Sequence, residues 1–282
     1  MQELISAKFA LDNLFLKPNT VFLDATFHLP NSGRNALDEF NNKHIPNARF
    51  FDIDQISDKK SSLPHMLPDE DYFSKMVSSL GIKNDDTVIV YDNSIFFSSA
   101  RAWWMFKIFG HENIRIIDGG LKAWINSGGP SSNEKSQTKE TAYVANKKNL
   151  KLYDTIDNIM SDLESEKNKI VIDARGEDRF FAKVKEPRAG IKSGHIPSSL
   201  NIPISSIIDK NTNCLKSIDE INEIFTTIGL TDKNSELVMT CGSGVTACGL
   251  ALAANSLGFK NVKVYDGSWS EWGSREDTPV EI

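Results

Sequence analysis

The sequence has few cysteines, no long apolar run and no excess of positive charge. Its 282 residues include three cysteines, too few for a disulfide scaffold and not spaced like zinc ligands. No stretch approaches the roughly 20 apolar residues of a membrane-spanning helix, and the first residues lack the apolar core of a signal peptide. These absences predict a cytoplasmic protein without a membrane partner, and nothing in the sequence indicates a metal or an organic cofactor.

Acidic residues outnumber basic ones, 38 against 32, which gives a formal net charge of −6. This balance argues against nucleic acid or an anionic membrane as a partner. The hydrophobic content of 40% is ordinary for a globular protein, and the length leaves room for two domains of usual size.

One cysteine, Cys241, lies between a predicted strand and a predicted helix. Residues 237–240 before it are typical of a short buried strand, and residues 247–254 after it are typical of a helix. Gly242 and Gly244 allow backbone angles that other residues resist. Such a turn can direct several N–H groups at one point, where the positive helix end would stabilise an anion on the sulfur. The pattern predicts a reaction centre built on a thiolate.

Two other interpretations of Cys241 stand beside this one. A cysteine at a strand-to-helix turn is often only a small buried apolar residue, although packing alone does not need flanking glycines. A cysteine phosphatase would place an arginine after five intervening residues to bind the phosphate dianion. Ala247 occupies that position, and residues 241–246 contain no basic side chain. Phosphate chemistry is therefore disfavoured.

The chain contains one pattern twice. The matching segments are 21–25 and 170–174, 44–46 and 195–197, 80–82 and 228–230, 88–92 and 237–241, and 118–124 and 266–272. Each second member follows the first by about 150 residues, in the same order, which predicts two copies of one domain. We predict domains at residues 1–130 and 150–282. Residues 131–149, rich in Ser, Lys and Asn after a Gly-Gly-Pro, are predicted to be a linker.

Within each copy, short apolar strands alternate with helical patterns. This alternation predicts an α/β fold with a parallel sheet flanked by helices on both faces. Ligands bind such sheets beyond the carboxyl ends of the strands, which is where Cys241 falls. In the first copy Asp92 takes the place of the cysteine, so that copy is predicted to be non-catalytic.

With this repeat, the paired His-Ile-Pro segments and the Cys241–Thr246 loop, the chain resembles the rhodanese superfamily, in particular its two-domain 3-mercaptopyruvate sulfurtransferases. The resemblance implies two tandem rhodanese-like domains, of which the second is catalytic. It also implies an enzyme that takes sulfur from 3-mercaptopyruvate as a cysteine persulfide and releases pyruvate. The sulfur would then pass to cyanide or to a thiol acceptor, such as a small thiol or a thioredoxin-like protein.

The resemblance assigns the donor-binding residues. Arg179 and Arg188 match the two arginines that bind the carboxylate and carbonyl of the donor in this family. The loop residues that would surround the transferred sulfur are Gly242, Gly244, Val245 and Thr246. Arg175, which follows the strand-ending aspartate, is expected to brace the fold instead.

The resemblance also implies a proton relay. Asp54, His65 and Ser243 match a set of residues that is similar to a serine-protease triad. Cleavage of the C–S bond leaves an enolate that needs a proton, which Ser243 relayed by His65 would supply, while Asp54 fixes the imidazole tautomer. His44 and His195 recur in both copies and are expected to be structural.

Two alternatives to this function stay open. A thiosulfate sulfurtransferase is disfavoured because relatives that prefer thiosulfate carry Arg and Lys where this loop has the neutral Gly242 and Ser243. A non-catalytic module that only relays a persulfide would not need Cys241, both arginines and His65 together.

Overall fold

The computed structural model describes residues 3–29, 32–165 and 169–282, which form two compact units. Unit 1 consists of Met1–Asp58, Pro68–Asn149 and Asp209–Leu215, and unit 2 consists of Lys59–Leu67, Leu150–Ile208 and Lys216–Ile282. Each unit thus includes a short segment from the other half of the sequence. The domain limits drawn from the sequence, 1–130 and 150–282, stay a prediction.

Unit 1 is built on a parallel sheet with the strand order β1-β5-β4-β2-β3. Its strands are β1 (Leu4–Ser6), β2 (Thr20–Asp24), β3 (Arg49–Phe50), β4 (Thr87–Tyr91) and β5 (Ile114–Asp118). Its helices are α1 (Ala7–Asn13), α2 (Ala36–Asn42), α3 (Ile53–Ile56), α4 (Glu70–Ser79), α5 (Ser99–Ile108) and α6 (Gly120–Asn126). The central strands β2 and β4 are almost wholly buried, as expected of parallel strands covered on both faces.

Unit 2 repeats this arrangement with the strand order β6-β10-β9-β7-β8. Its strands are β6 (Tyr153–Asp154), β7 (Ile170–Asp173), β8 (Leu200–Asn201), β9 (Glu236–Thr240) and β10 (Asn261–Tyr265). Its helices are α7 (Ile156–Glu164), α8 (Glu177–Phe180), α9 (Ile218–Thr227), α10 (Thr246–Ser256) and α11 (Ser268–Trp272), with a 3-10 turn at Ile204–Ser206. Strand for strand, the two orders are the same, so the predicted fold class is confirmed. No helix within the described ranges is both long and apolar enough to cross a membrane.

The repeated tryptophans close equivalent cores in the two units. Trp124 is fully buried and its indole N–H donates to the carbonyl of Pro130 at 2.8 Å. Trp272 is equally buried and donates to the carbonyl of Pro279, also at 2.8 Å. In each unit, the indole therefore holds the segment that follows the last helix against the core of that unit.

The histidines of the two His-Ile-Pro segments have structural contacts, as expected. The ring of His44 stacks on Phe40, and its Nδ1 lies 2.6 Å from the carbonyl oxygen of that residue. The ring of His195 stacks on Phe180 in the same way, with its Nδ1 3.0 Å from that carbonyl oxygen. Both side chains thereby fasten a loop to the preceding helix.

The segment predicted to be a linker packs against unit 1. His44 and Ser132 exchange backbone hydrogen bonds of 2.9 and 2.8 Å. Tyr143 is buried beside Phe73 and His111. Residues 131–149 therefore contribute apolar surface to the core of unit 1.

The aspartates that end β2 and β7 occupy the same place in the two sheets but have different partners. Asp173 forms an ion pair with Arg175, and both side chains are about 1% exposed. In unit 1 the position of Arg175 is taken by Thr26, which donates to Asp24 without neutralising it. Burial, supported by the nearby Asp92, raises the pKa of Asp24 to about 7.

We expect Asp24 to make the stability of the protein fall as the pH rises from about 4 to about 7. In this window the folded state holds a proton on Asp24 that the unfolded state, with an ordinary aspartate pKa, has released. Asp24→Asn should remove this part of the pH dependence, which amounts to roughly 4 kcal/mol of unfolding free energy across the window. Denaturant unfolding at several pH values measures it, and parallel curves for the two proteins would contradict the prediction.

Candidate active site

Cys241 follows directly after β9, at the carboxyl end of the central strands of unit 2. Its side chain is buried, and its backbone N–H donates to the hydroxyl of Ser268 at 3.2 Å. Its carbonyl accepts from the backbone N–H of Trp269 at 2.9 Å. The cysteine therefore lies beyond the carboxyl end of a strand, as the sequence predicts, and the start of α11 holds its backbone there.

The two glycines of the Cys241 loop, residues 241–245, act in different ways. Gly244 has a φ of +75°, a conformation that favours glycine. Gly242 lies outside the left-handed region, so the expectation of special backbone angles is wrong at this position. A Cβ atom on Gly242 would lie 3.3 Å from Nη2 of Arg179, so glycine here allows the guanidinium to approach the loop backbone.

Helix α10 begins at Thr246, next to the loop. Its N-cap residue, Val245, has no side-chain hydrogen bond to the first turn. The backbone N–H groups at this end therefore keep the positive polarity of an uncapped helix N-terminus. This end of α10 favours negative charge beside the Cys241 loop.

His65 contacts the loop at Ser243, within unit 2. Its Nδ1 lies 2.9 Å from the hydroxyl oxygen of Ser243 and 3.3 Å from the carbonyl oxygen of the same residue. His65 is 6% exposed and Ser243 is 8% exposed, so bulk water has little access to the pair. The segment that carries His65 is anchored by Leu67, whose N–H donates to the buried carboxylate of Asp266 at 2.7 Å.

Asp54, the third residue of the expected relay, lies in α3 of unit 1. Its side chain is exposed, next to the buried Ile53 and Ile56 that anchor this short helix. The structure therefore brings His65 and Ser243 together in one unit, and the part played by Asp54 stays a prediction.

The two predicted donor-binding arginines have different partners. Arg179, in α8, points its guanidinium at Gly242 and forms an ion pair with Glu186 at 2.5 Å. Arg188 donates to the hydroxyl of Ser270 at 3.2 Å, and no carboxylate within the described residues forms an ion pair with it. Ser270 in turn donates to the carbonyl of Gly242 at 2.5 Å. Both arginines are therefore linked to the Cys241 loop, but only Arg188 keeps an uncompensated charge.

We expect Arg188→Ala to raise the KM for an anionic donor more than Arg179→Ala does. Loss of a charge-assisted hydrogen bond costs about 1.5–3 kcal/mol, or roughly ten- to a hundredfold in the specificity constant. The charge of Arg179 is already balanced by Glu186, so removing it changes the attraction for an anion less. Steady-state kinetics of the two variants tests this, and equal KM values in both would contradict it.

Three residues of the site were not singled out from the sequence: Ser268, Ser270 and Glu186. The serines lie in the repeated segment 266–272, where the first copy has Gly120 and Lys122. This difference between the two copies is the sequence feature that could have indicated a role for Ser268 and Ser270. Glu186 lies between Arg179 and Arg188 in the sequence. Nothing in its spacing indicates that it pairs with both Arg175 and Arg179.

Arg175 braces the fold, as expected. It pairs with Asp173 and Glu186, donates to the carbonyl of Gly194 at 2.7 Å and lies over the ring of Trp269 at 4.3 Å. Because these contacts are all with groups of the protein itself, the guanidinium of Arg175 has a structural role.

The other two cysteines are in different surroundings. Cys248 is buried inside α10, and its thiol lies 3.2 Å from the carbonyl oxygen of Gly244. Cys214 belongs to unit 1, where burial raises the pKa of its thiol above the ordinary value. Neither cysteine occupies a turn like that of Cys241.

Comparison with known proteins gives matches over nearly the whole chain. The family described as "Rhodanese-like domain" matches residues 11–127 and again residues 155–275. The human enzyme named 3-mercaptopyruvate sulfurtransferase is 42% identical over 255 residues, which cover 90% of this chain and 84% of the relative. A mitochondrial protein of Arabidopsis thaliana named thiosulfate/3-mercaptopyruvate sulfurtransferase 1 is 39% identical over 285 residues, covering 94% and 74%.

A solved structure supports the same relationship. The crystal structure of SseA from Escherichia coli, described with the rhodanese fold and the mechanism of 3-mercaptopyruvate sulfurtransferases, superposes with a TM-score of 0.82. It is 34% identical, and the match covers 95% of this chain and 99% of that one.

Proposed function

The chain belongs to the rhodanese-like family, and we propose that it is a sulfurtransferase that carries sulfur as a persulfide on Cys241. The proposed donor is 3-mercaptopyruvate, the compound in the name of the human relative. The proposed products are pyruvate and a sulfur atom delivered to a thiol or to cyanide.

One observation carries this proposal: three kinds of group meet on the Cys241 loop. The loop offers a cysteine at a strand end and a hydroxyl bonded to a buried histidine at 2.9 Å. It is also linked to Arg188, which donates to the hydroxyl of Ser270, and this hydroxyl donates to the carbonyl of Gly242. A nucleophile, a proton relay and an anion-binding group are the components that transfer from a mercapto acid requires.

The first half of the reaction forms a new sulfur–sulfur bond. The thiolate of Cys241 attacks the sulfur of 3-mercaptopyruvate, the C–S bond breaks, and its electron pair stays on carbon as the enolate of pyruvate. Arg188 and Arg179 hold the donor's carboxylate and carbonyl, and the uncapped end of α10 stabilises the negative charge near the loop.

The enolate then needs a proton. We propose that the hydroxyl of Ser243 delivers it and is reprotonated by His65, which lies within hydrogen-bond distance. In the second half, a thiolate acceptor attacks the outer sulfur of the persulfide and Cys241 leaves as the thiolate. Both halves balance without an external oxidant or reductant.

Thiosulfate is the second candidate donor, because the Arabidopsis relative carries both donors in its name. The loop here disfavours it. Thiosulfate leaves sulfite, a dianion, and the loop positions where cations would meet that group are Gly242 and Ser243. The electrostatics of the loop therefore support 3-mercaptopyruvate as the preferred donor.

The acceptor and the location of the protein are further proposals. We propose a small thiol or a thioredoxin-like protein as the acceptor, since the second half-reaction requires only an attacking thiolate. We also propose the cytoplasm as its location, because reducing conditions keep both Cys241 and an acceptor thiol free.

A comparison of the two donors tests the function. We expect release of pyruvate from 3-mercaptopyruvate in the presence of a thiol, with a specificity constant well above that for thiocyanate formation from thiosulfate and cyanide. A higher value with thiosulfate would establish the second candidate. If neither donor is turned over but Cys241 accepts sulfur from a persulfidated protein, the protein is a relay module and the proposed function is wrong.

A further inference from the structure

Glu186 binds two arginines with one buried carboxylate. Its side chain is 4% exposed, and its Oε1 accepts from Nη1 of Arg175 at 3.0 Å. The same oxygen accepts from Nε of Arg179 at 3.1 Å, while Oε2 accepts from Nη2 of Arg179 at 2.5 Å. The contact with Arg179 is therefore bidentate, a geometry that fixes the plane of the guanidinium.

This contact decides where the free edge of Arg179 lies. Nε and Nη2 of Arg179 both donate to Glu186. The same Nη2 would lie 3.3 Å from a Cβ atom placed on Gly242. Nη1 of Arg179 donates to no group among the described residues, and the side chain is 26% exposed. Glu186 thus presents the remaining N–H groups of Arg179 to the Cys241 loop.

The same contact sets the charge beside the loop. We define the arginine cluster as Arg175, Arg179 and Arg188 with the carboxylates of Asp173 and Glu186. Its ion pairs join Arg175 to both carboxylates and Arg179 to Glu186. Three guanidinium groups meet two carboxylates, so one positive charge is uncompensated. Arg188, which donates only to the hydroxyl of Ser270, is the group without an ionic partner in the described structure.

We propose that Glu186 is a specificity-determining positioning residue for sulfur transfer. It orients Arg179 toward Gly242 and cancels its charge, so that the arginine cluster accepts a donor with one negative charge. 3-Mercaptopyruvate brings one carboxylate, whereas thiosulfate is a dianion that would leave excess negative charge in this partly buried place. The inference rests on the proposed function and names the residue that selects its donor.

Glu186→Gln tests the charge. The amide keeps the size of the side chain, and Arg175 keeps its contacts with Asp173 and Gly194, so the fold is expected to persist. The variant adds one positive charge to the cluster, which attracts a dianion about twice as strongly as a monoanion. We expect the ratio of the specificity constants, thiosulfate over 3-mercaptopyruvate, to rise roughly tenfold, equivalent to about 1.4 kcal/mol. Salt should reduce this rise.

Two further variants separate charge from position. Glu177→Gln removes the same charge from an exposed side chain on α8 and should leave the donor ratio unchanged. Glu186→Asp keeps the charge but shortens the side chain, so the KM for both donors should rise while their ratio stays near the wild-type value. A ratio that is unchanged in Glu186→Gln, or shifted as much in Glu177→Gln, overturns the proposal.

Binding of unreactive anions tests the inference without turnover. By calorimetry, the unmodified protein should bind pyruvate, a monoanion, more tightly than sulfate, and Glu186→Gln should improve sulfate binding more than pyruvate binding. Sulfate binding as tight as that of pyruvate in the unmodified protein contradicts the role of Glu186. Failure of the proposed function would appear separately, as the absence of sulfur transfer from either donor.

Discussion

Cys241→Ser is expected to lower sulfur transfer from 3-mercaptopyruvate by roughly four orders of magnitude or more. A serine hydroxyl cannot hold a transferable sulfur, and removal of a covalent nucleophile has effects of this size in other enzymes. Mass spectrometry should find one added sulfur on the peptide that contains Cys241 after incubation with the donor alone. The same peptide from the variant should stay unmodified.

The other cysteines provide matched controls for this change. Cys248→Ser alters a thiol in the first turn of α10, and Cys214→Ser alters a thiol in unit 1. Both variants should keep turnover within a few-fold of the wild-type value, because neither thiol occupies the turn after β9. Appreciable transfer by Cys241→Ser, or its loss in either control, would show that the sulfur is carried elsewhere.

Loss of the Ser243 hydroxyl is expected to reduce kcat for 3-mercaptopyruvate by roughly 10²- to 10⁴-fold, the usual contribution of general acid catalysis. His65→Ala should have a similar effect, since its Nδ1 lies 2.9 Å from that hydroxyl. The KM should change much less in either variant, because the proposal assigns the donor's carboxylate to Arg179 and Arg188 and not to this pair. Steady-state kinetics of Ser243→Ala, of His65→Ala and of the double variant measures these effects.

The double variant distinguishes a relay from two independent contributions. If His65 acts through Ser243, the double variant should be about as slow as either single one, because residues that act as a unit are not additive. Ser256→Ala is a suitable control, since among the described residues that hydroxyl bonds only to the carbonyl of Leu252 in its own helix. A wild-type kcat in Ser243→Ala, or fully additive losses, would contradict the relay.

Much of the fold follows from local patterns. The alternation of short apolar strands with helices predicts a parallel sheet, and the same order of segments in both halves predicts the same sheet twice. The position of Cys241 after a strand likewise follows from its neighbours in sequence. These features depend on residues that lie next to one another in the chain. The periodicity and spacing of those residues are therefore enough to predict them.

The contacts that complete the site join residues far apart in sequence. His65 and Ser243 are 178 positions apart, and Arg188 and Ser270 are 82 positions apart. The resemblance to a family pointed to His65 and Ser243, but no pattern in the chain states their distance. The sequence also could not predict that the segment Lys59–Leu67 belongs to unit 2, because packing rather than chain order decides this.

By itself the sequence determined the two-copy α/β architecture, the copy that carries Cys241 and the position of that cysteine at a strand end, since these depend on local periodicity and on one short motif. Only the tertiary structure decided how charge is distributed around that cysteine. Arg179 and Arg188 are alike in sequence, yet Glu186 neutralises one and Ser270 holds the other without cancelling its charge. The physical reason is that ion pairing depends on distances between side chains, which folding sets and residue order does not.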